Sequence, residues 1–199
     1  MPNGVTELGT QRADPAAKLV VSAGRLIRRK GFDRLLMAWA RIAHEFPDWR
    51  LAVFGGGPHA KRLARLSTQL GLDDSVRFPG NSPRLREELA KASLFVMTSR
   101  REGFPMVLLE AMSVGLPVIA YDCPTGPRDI ISEGVDGSIV PDGETELLAA
   151  ALAELLDAED RRRRYAVAAL EKAATFDIAV IAARWEALLE ELVEAKRRR

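Results

Sequence analysis

Apolar positions along the chain alternate between two patterns. Six short runs are almost continuously apolar: LVVSAG from Leu19, RLAVFG from Arg50, SVRF from Ser75, SLFVMTS from Ser93, PVIAYD from Pro117 and GSIV from Gly137. Runs of this length, rich in β-branched and aromatic residues and bounded by turn formers, predict strands. Between them the apolar residues take helical spacing. Leu35, Leu36, Trp39, Ile42, Ala43 and Phe46 mark one face of a helix over Phe32 to Phe46. Further helices are expected from about His59 to Leu70, Leu85 to Lys91 and Met106 to Val114, with a short one near Arg128. Strands that are apolar at successive positions are covered on both faces, so the alternation predicts an α/β fold: a doubly wound parallel sheet of about six strands with helices on both sides.

Beyond Pro141 the pattern becomes helical throughout, with Ala- and Leu-rich stretches over Glu144–Asp157, Glu159–Ala174 and Ile178–Lys196. Asp177 is placed to cap the last of these, and the terminal basic residues suit its carboxyl end. The first seventeen residues carry Gly, Pro, Asn and Asp without an apolar face and read as a linker. Three segments result: a linker over 1–17, an α/β core over 18–143 and C-terminal helices packing on that core over 144–199.

Composition narrows the function classes. At 47% hydrophobic and 29% charged residues, the 199-residue chain has the makeup of one packed domain with a tail. A formal charge of +1 supplies no global field for nucleic acid, so no nucleic-acid partner is expected. The single cysteine, Cys123, excludes an intramolecular disulfide, and the opening residues do not read as a secretory signal, so a cytoplasmic location is expected. No apolar run approaches the roughly 20 residues of a membrane span.

In an open parallel sheet, ligands bind beyond the carboxyl ends of the strands, so the loops there carry the candidate chemistry. The first loop holds Arg25 and Lys30, which together suit a polyphosphate, and Gly31 where the next helix starts. The second is Gly55-Gly56-Gly57-Pro58, open either to a ligand's approach or to a tight turn. It is not a dinucleotide fingerprint, which would follow the first strand as Gly-x-Gly-x-x-Gly. The fourth loop is richest, with Glu102, Gly103, Phe104 and Pro105 before a helix whose first amides, around Met106 and Val107, suit an anion. Glu110 lies inside that helix among Val107, Leu108, Leu109, Ala111 and Met112, where a carboxylate is costly unless something hydrogen-bonds it. A pair of sugar hydroxyls is one such partner. The plainer alternative is an ion-paired Glu110 and a merely exposed Glu102.

Taken together, Arg25 with Lys30, the Gly-Gly-Gly-Pro loop, and Glu102-Gly-Phe-Pro with Glu110 after seven intervening residues resemble the C-terminal lobe of family 4 glycosyltransferases. The likeness covers roughly Lys18 to Gly143 and includes VRFPGN, LEAMSVGLPVIAYD and CPTGPRDIISEGVDGSIVPDG. It implies one Rossmann-like lobe of the two-lobed GT-B architecture, and sugar transfer from a nucleoside diphosphate-sugar with retention of configuration. It implies neither a metal nor a cofactor beyond the donor. Carried over, Arg25 and Lys30 hold the diphosphate and Glu110 the ribose hydroxyls. Glu102 faces the donor sugar. The amides from Gly103 through Phe104, Pro105 and Met106 to Val107 meet the sugar and distal phosphate. The backbone at Arg77, Phe78 and Pro79 borders the nucleobase, and Gly56 and Gly57 line the cleft floor. CPTGPRDII favours a uridine-linked donor mildly.

The chain has length for one lobe, so the resemblance implies a missing N-terminal acceptor-binding lobe, in cis or in trans. The helix over Ile178 to Val193 could then expose an apolar face and support a homodimer. Arg161–Arg164 and Arg197–Arg199 are candidates for peripheral contact with acidic lipid, against a solvated helix face balanced by Glu154, Asp157, Glu159 and Asp160. His44 and His59 lack metal-ligand spacing. Cys123 lacks a partner base, and Ser99, Ser113 and Thr125 lack a nucleophile-elbow context. Two other functions fit the same residues: a catalytically silent nucleotide-sugar binding module, and a nucleotide-sugar epimerase of similar architecture.

Overall fold

The computed structural model describes residues 3–5 and 10–197. The elements follow in the order β1 (Leu19–Ala23), α1 (Phe32–Ile42), β2 (Arg50–Phe54), α2 (Ala60–Gln69), β3 (Val76–Gly80), α3 (Leu85–Leu89), β4 (Leu94–Met97), α4 (Met106–Met112), β5 (Val118–Asp122), α5 (Pro127–Ile130) and β6 (Gly137–Pro141). The helices α6 (Thr145–Asp157), α7 (Glu159–Ala174) and α8 (Ile178–Arg197) complete the chain. The six strands form one parallel sheet in the order β3-β2-β1-β4-β5-β6, which is the Rossmann-like, doubly wound arrangement expected.

The order reverses between β1 and β4, where Val20 pairs with Leu94 and Val21 with Phe95. Two helix-covered layers follow from the strand pleat. Val20, Leu51, Val53, Leu94 and Val96 pack under α1, α2 and α6 around the fully buried Trp39, whose Nε1 donates to Ser75 Oγ at 3.1 Å. Val21, Ala23, Phe95, Met97 and Ala120 pack on the other face, against Leu108, Leu109 and Met112 of α4 and Ala169 and Ala173 of α7. β4 is buried at every position, as its unbroken apolar run requires.

Some boundaries differ from the sequence reading. α1 stops at Ile42, because Glu45 and Phe46 turn back to the Ile42 carbonyl ahead of Pro47, which cannot continue a helix. A 3₁₀ turn over Arg28–Lys30 precedes α1. Within the leading segment, the Val5 amide donates to the Phe176 carbonyl at 2.8 Å, and the Ile178 amide returns to Val5 at 3.0 Å. Asp177 caps α8, accepting the Ala179 amide at 2.8 Å. α8 buries only Ile181 and leaves Trp185, Leu189, Leu192 and Val193 exposed.

The basic cluster on α7 is largely engaged within the protein. Arg161 bonds the Tyr165 hydroxyl at 2.8 and 2.9 Å and pairs with Glu154. Arg163 pairs with Glu159 at 2.5 Å. Arg162 is buried, donates to the carbonyls of Pro15, Leu155 and Leu156, and lies 5.0 Å over the Trp49 ring. That pattern favours a structural role over lipid contact. Of the second cluster, Arg198 and Arg199 lie outside the described residues. No helix among the described residues is long and apolar enough to cross a membrane.

Candidate functional site

β1 ends at Ala23, and the chain runs through Gly24 and Arg25 into the Arg28–Lys30 turn. Lys30 lies back alongside Gly24, its Cε 3.5 Å from where a Cβ on that residue would stand. Its ammonium reaches across the β1/β4 seam to Glu102 Oε1, at 2.6 Å. The same Oε1 accepts the Ser99 hydroxyl at 2.6 Å. With its side chain only 6% exposed, Glu102 is thus a buried, bonded carboxylate, and the merely exposed alternative is ruled out for it. Its backbone is fixed as well: the Glu102 amide donates to Pro124 at 2.9 Å, and Thr125 Oγ1 donates to the Glu102 and Gly103 carbonyls at 3.1 and 3.2 Å.

Arg25, by contrast, is exposed and has no ion pair among the described residues. Glycines 56 and 57 sit at the end of β2. Gly57 lies against the backbone of Leu26, and Gly56 faces the Asn81 side chain. This close backbone approach accounts for Gly57 without a ligand.

Glu110 sits on the face of α4 turned toward α3. Met106, Glu110, Pro83, Leu85, Arg86, Leu89 and Val5 enclose a cavity of about 390 Å³. Among the described residues nothing hydrogen-bonds or ion-pairs the Glu110 carboxylate, and burial alone pushes its pKa above the ordinary carboxylate value. The ion-paired alternative therefore fails for Glu110. Arg86 lies on the opposite wall, donating to Ser113 Oγ at 2.7 Å and to the Ser113 carbonyl at 3.2 Å. Leu85 also borders a second cavity of about 170 Å³, at the carboxyl ends of β1 and β2, with Ala23, Gly24, Phe54, Gly55, Asn81 and Ser82.

This unpartnered carboxylate has a thermodynamic consequence. Its folded-state pKa lies above its unfolded value, so the native chain holds an extra proton between the two, and stability falls as pH rises through that window. Glu110→Gln is therefore expected to raise the melting temperature of the ligand-free protein at neutral pH by a few degrees, about 1 kcal/mol, with the gain vanishing at acid pH. Melting curves at pH 4 and pH 8 check this; a gain independent of pH would contradict it.

The remaining predicted residues are dispersed. Phe104 is half-buried and packs on Phe176, ring centroids 6.1 Å apart. Pro105 is buried, and the Met106 amide is turned back to the Phe104 carbonyl at 3.0 Å. Gly103 is exposed and Val107 half-buried. Arg77 turns its guanidinium toward the Asp73 and Val76 carbonyls, Phe78 packs on the α1 side of the sheet, and Pro79 is exposed. The residues lining the cavity past the end of β3 are Asn81 and Ser82.

Sequence reading missed Ser99, Thr125, Arg86 and the pair Arg100–Asp33. Apart from Ser99, which bonds Glu102 on its own loop, their partners lie far along the chain, and only the position of Ser99 and Arg100 beside Glu102 offered a signal. Cys123 is buried, its thiol pushed up to about 11 mainly by that burial and further by the Glu102 charge, so it stays protonated near neutral pH. No group of three or more His, Cys, Asp or Glu among the described residues is placed to hold a metal.

Comparison with known proteins matches residues 9–172 to the family described as glycosyl transferases group 1. The chain is 41% identical over 197 residues to an exopolysaccharide phosphotransferase of Streptomyces coelicolor, covering 98% of this chain and 21% of that protein. It is 35% identical over 170 residues to the amylovoran biosynthesis glycosyltransferase AmsD of Erwinia amylovora, covering 85% of this chain and 47% of that one. Among solved structures it resembles Anabaena Alr3699/HepE in complex with UDP, with a TM-score of 0.81 and 26% identity over 88% of this chain and 49% of that one. The chain thus spans between about a fifth and a half of the length of these relatives. With six strands in the expected order and the family match running through the whole sheet, the chain belongs to the glycosyl transferases group 1 family, on a GT-B-type lobe.

Proposed function

We propose that this chain is the donor-binding lobe of a retaining glycosyltransferase of family 4, which takes its sugar from a nucleoside diphosphate-sugar. The observation that carries the reading is Glu110: a half-buried carboxylate on the wall of a cavity, with no hydrogen-bond or ion-pair partner among the described residues. Arg25 and Lys30 follow β1, and Lys30 reaches Glu102 in the loop after the neighbouring strand β4. Ribose hydroxyls would supply the hydrogen bonds that Glu110 lacks. The diphosphate would lie on Arg25 and Lys30, whose fixed charge stabilises the leaving phosphate as its negative charge develops, a role a metal fills in other enzymes. Glu102, anchored by Lys30 and Ser99, would face the donor sugar, and the backbone of Gly103 to Val107 would border the sugar and distal phosphate. The base would lie past the end of β3, near Pro79 and Asn81. The Anabaena structure contains UDP, which supports uridine as the base.

Transfer itself would require an acceptor-binding lobe, in cis or in trans. The exposed apolar residues Trp185, Leu189, Leu192 and Val193 of α8 support such a partner, since they have no cover among the described residues.

Calorimetric titration with uridine, guanosine and adenosine diphosphates, without added magnesium, tests this directly. Saturable binding of the uridine nucleotide is expected, and no binding of any of the three at millimolar concentration would sink the donor-lobe reading. The Streptomyces relative named a phosphotransferase supports a second reading, in which a sugar phosphate is transferred from the same donor. The product separates them. Glycosyl transfer releases the nucleoside diphosphate, whereas transfer of the sugar phosphate breaks the pyrophosphate and releases the monophosphate.

A further inference from the structure

The turn that carries Lys30 has no apolar anchor. None of its residues Arg28, Arg29 and Lys30 is buried, and no side chain caps it. A cation on such a turn would sweep a wide range of positions unless polar contacts held it: Glu102 holds the ammonium, Thr98 Oγ1 donates to the Lys30 carbonyl at 3.4 Å, and Arg100 holds the rest of the turn. Arg100, two residues before Glu102, grips the turn three ways. Its amide donates to the Arg29 carbonyl at 2.8 Å. Its Nη1 donates to the Arg28 carbonyl at 2.7 Å. Its guanidinium closes a two-pronged pair on Asp33, with Nη1–Oδ1 at 2.9 Å and Nη2–Oδ2 at 2.7 Å. Asp33 lies in the first turn of α1, just past Gly31, so the pair ties the β4 loop to both ends of the Lys30 turn.

Both partners of this pair are about one quarter exposed, shielded enough for the two-pronged geometry to persist. Burial would raise the Asp33 carboxyl, but the hydrogen bonds and charge of Arg100 outweigh it and hold the group below its ordinary value. The five residues Thr98 to Glu102 therefore supply two things at once: the carboxylate that Lys30 bonds, and the guanidinium that fixes where Lys30 starts.

We propose that Arg100 and Asp33 are positioning residues for Lys30: their ion pair locks the Arg28–Lys30 turn so that the Lys30 ammonium stands at the β1/β4 seam, ready for a diphosphate that neither residue touches. The significance for a donor rests on the function proposed above; the positioning itself does not. Arg100 is not itself the phosphate ligand, because its guanidinium is already committed to both Asp33 oxygens and a carbonyl. Arg100→Lys keeps the charge but not the fork, so it should restore only part of the effect.

The test has two arms, on Arg100→Gln, Arg100→Lys and Asp33→Asn, each checked for folding by circular dichroism. Without ligand, the rate at which a small acetylating reagent modifies Lys30 is read by mass spectrometry against that of exposed Lys61. In Arg100→Gln and Asp33→Asn, Lys30 modification is expected to rise about fivefold while Lys61 stays constant, the population factor that goes with 1 kcal/mol of lost tethering. Arg100→Lys should fall between parent and Arg100→Gln. An unchanged Lys30 rate in both folded variants overturns the proposal. With uridine diphosphate, Arg100→Gln should lose affinity about tenfold with uridine affinity unchanged, and should cost nothing further in a Lys30→Met background. Additive losses of the two substitutions overturn the proposal. A raised Lys30 rate combined with a parent that binds no diphosphate upholds the positioning role and sinks the donor-lobe reading, so the two fail separately.

Discussion

Lys30→Ala should weaken binding of a nucleoside diphosphate by about 1.5–3 kcal/mol, the scale of a lost charged hydrogen bond, or about ten- to hundredfold in Kd. It should also destabilise the ligand-free protein, because it leaves the buried Glu102 carboxylate with Ser99 as its remaining side-chain donor. Adding Glu102→Gln to Lys30→Ala should then recover most of the lost stability without recovering affinity. Arg25→Ala offers the contrast. It should lose similar affinity, but its stability should stay within about 0.5 kcal/mol of the parent, because Arg25 is exposed and unpaired among the described residues. Titration calorimetry and denaturant melts of the three variants beside the parent check this together. Parental diphosphate affinity in Lys30→Ala would remove the phosphate assignment.

Gly31→Ala is expected to lose about 3–5 kcal/mol of stability, read as a fall in melting temperature of about 2–4 °C per kcal/mol. Two costs combine there. Gly31 has φ +66, a left-handed conformation that costs a residue with a Cβ about 1–2 kcal/mol. A Cβ built on it would also stand 1.9 Å from the Thr98 carbonyl oxygen, which is backbone at the end of the buried β4 and cannot step aside. Gly71→Ala separates the two terms. It shares nearly the same backbone conformation, at φ +70, but has nothing within 4 Å of the new methyl, so only the conformational cost of about 1–2 kcal/mol remains. Equal losses at the two positions would show that the Thr98 contact relaxes freely.

The sheet was legible because burial on both faces writes itself as unbroken apolar runs, and β4, buried throughout, is the plainest case. Glu110 stood out for the opposite reason: it is one carboxylate amid five apolar neighbours in sequence, and the fold leaves it half-buried beside a cavity with no partner among the described residues. What could not be read is whatever joins distant loops. Lys30 and Glu102 are 72 residues apart and Arg100 and Asp33 are 67 apart, and no local spacing rule brings them together; only the crossover from β3 to β4 does. The docking of Val5 on Phe176 and Ile178 was hidden too, because two backbone hydrogen bonds leave no side-chain pattern. The end of α1 at Ile42 lay between these cases. The apolar face continues to Phe46, but a turn ahead of Pro47 takes over the backbone hydrogen bonds.

The central place of β1 bears on how the molecule comes together and apart. Val20 pairs with Leu51 on one side, a neighbour supplied by the next strand in the chain, and with Leu94 on the other, reached only after two further crossovers. Closing the longer loop carries the greater entropic cost, so the β1/β4 seam is the slower of the two junctions to form. Lys30 stands on one side of that seam, with Glu102 and Glu110 on the other. A molecule that bridged them would clasp the two halves at the slower of these two junctions. It would act as a kinetic brace, retarding the opening of the sheet in addition to shifting the folding equilibrium by mass action.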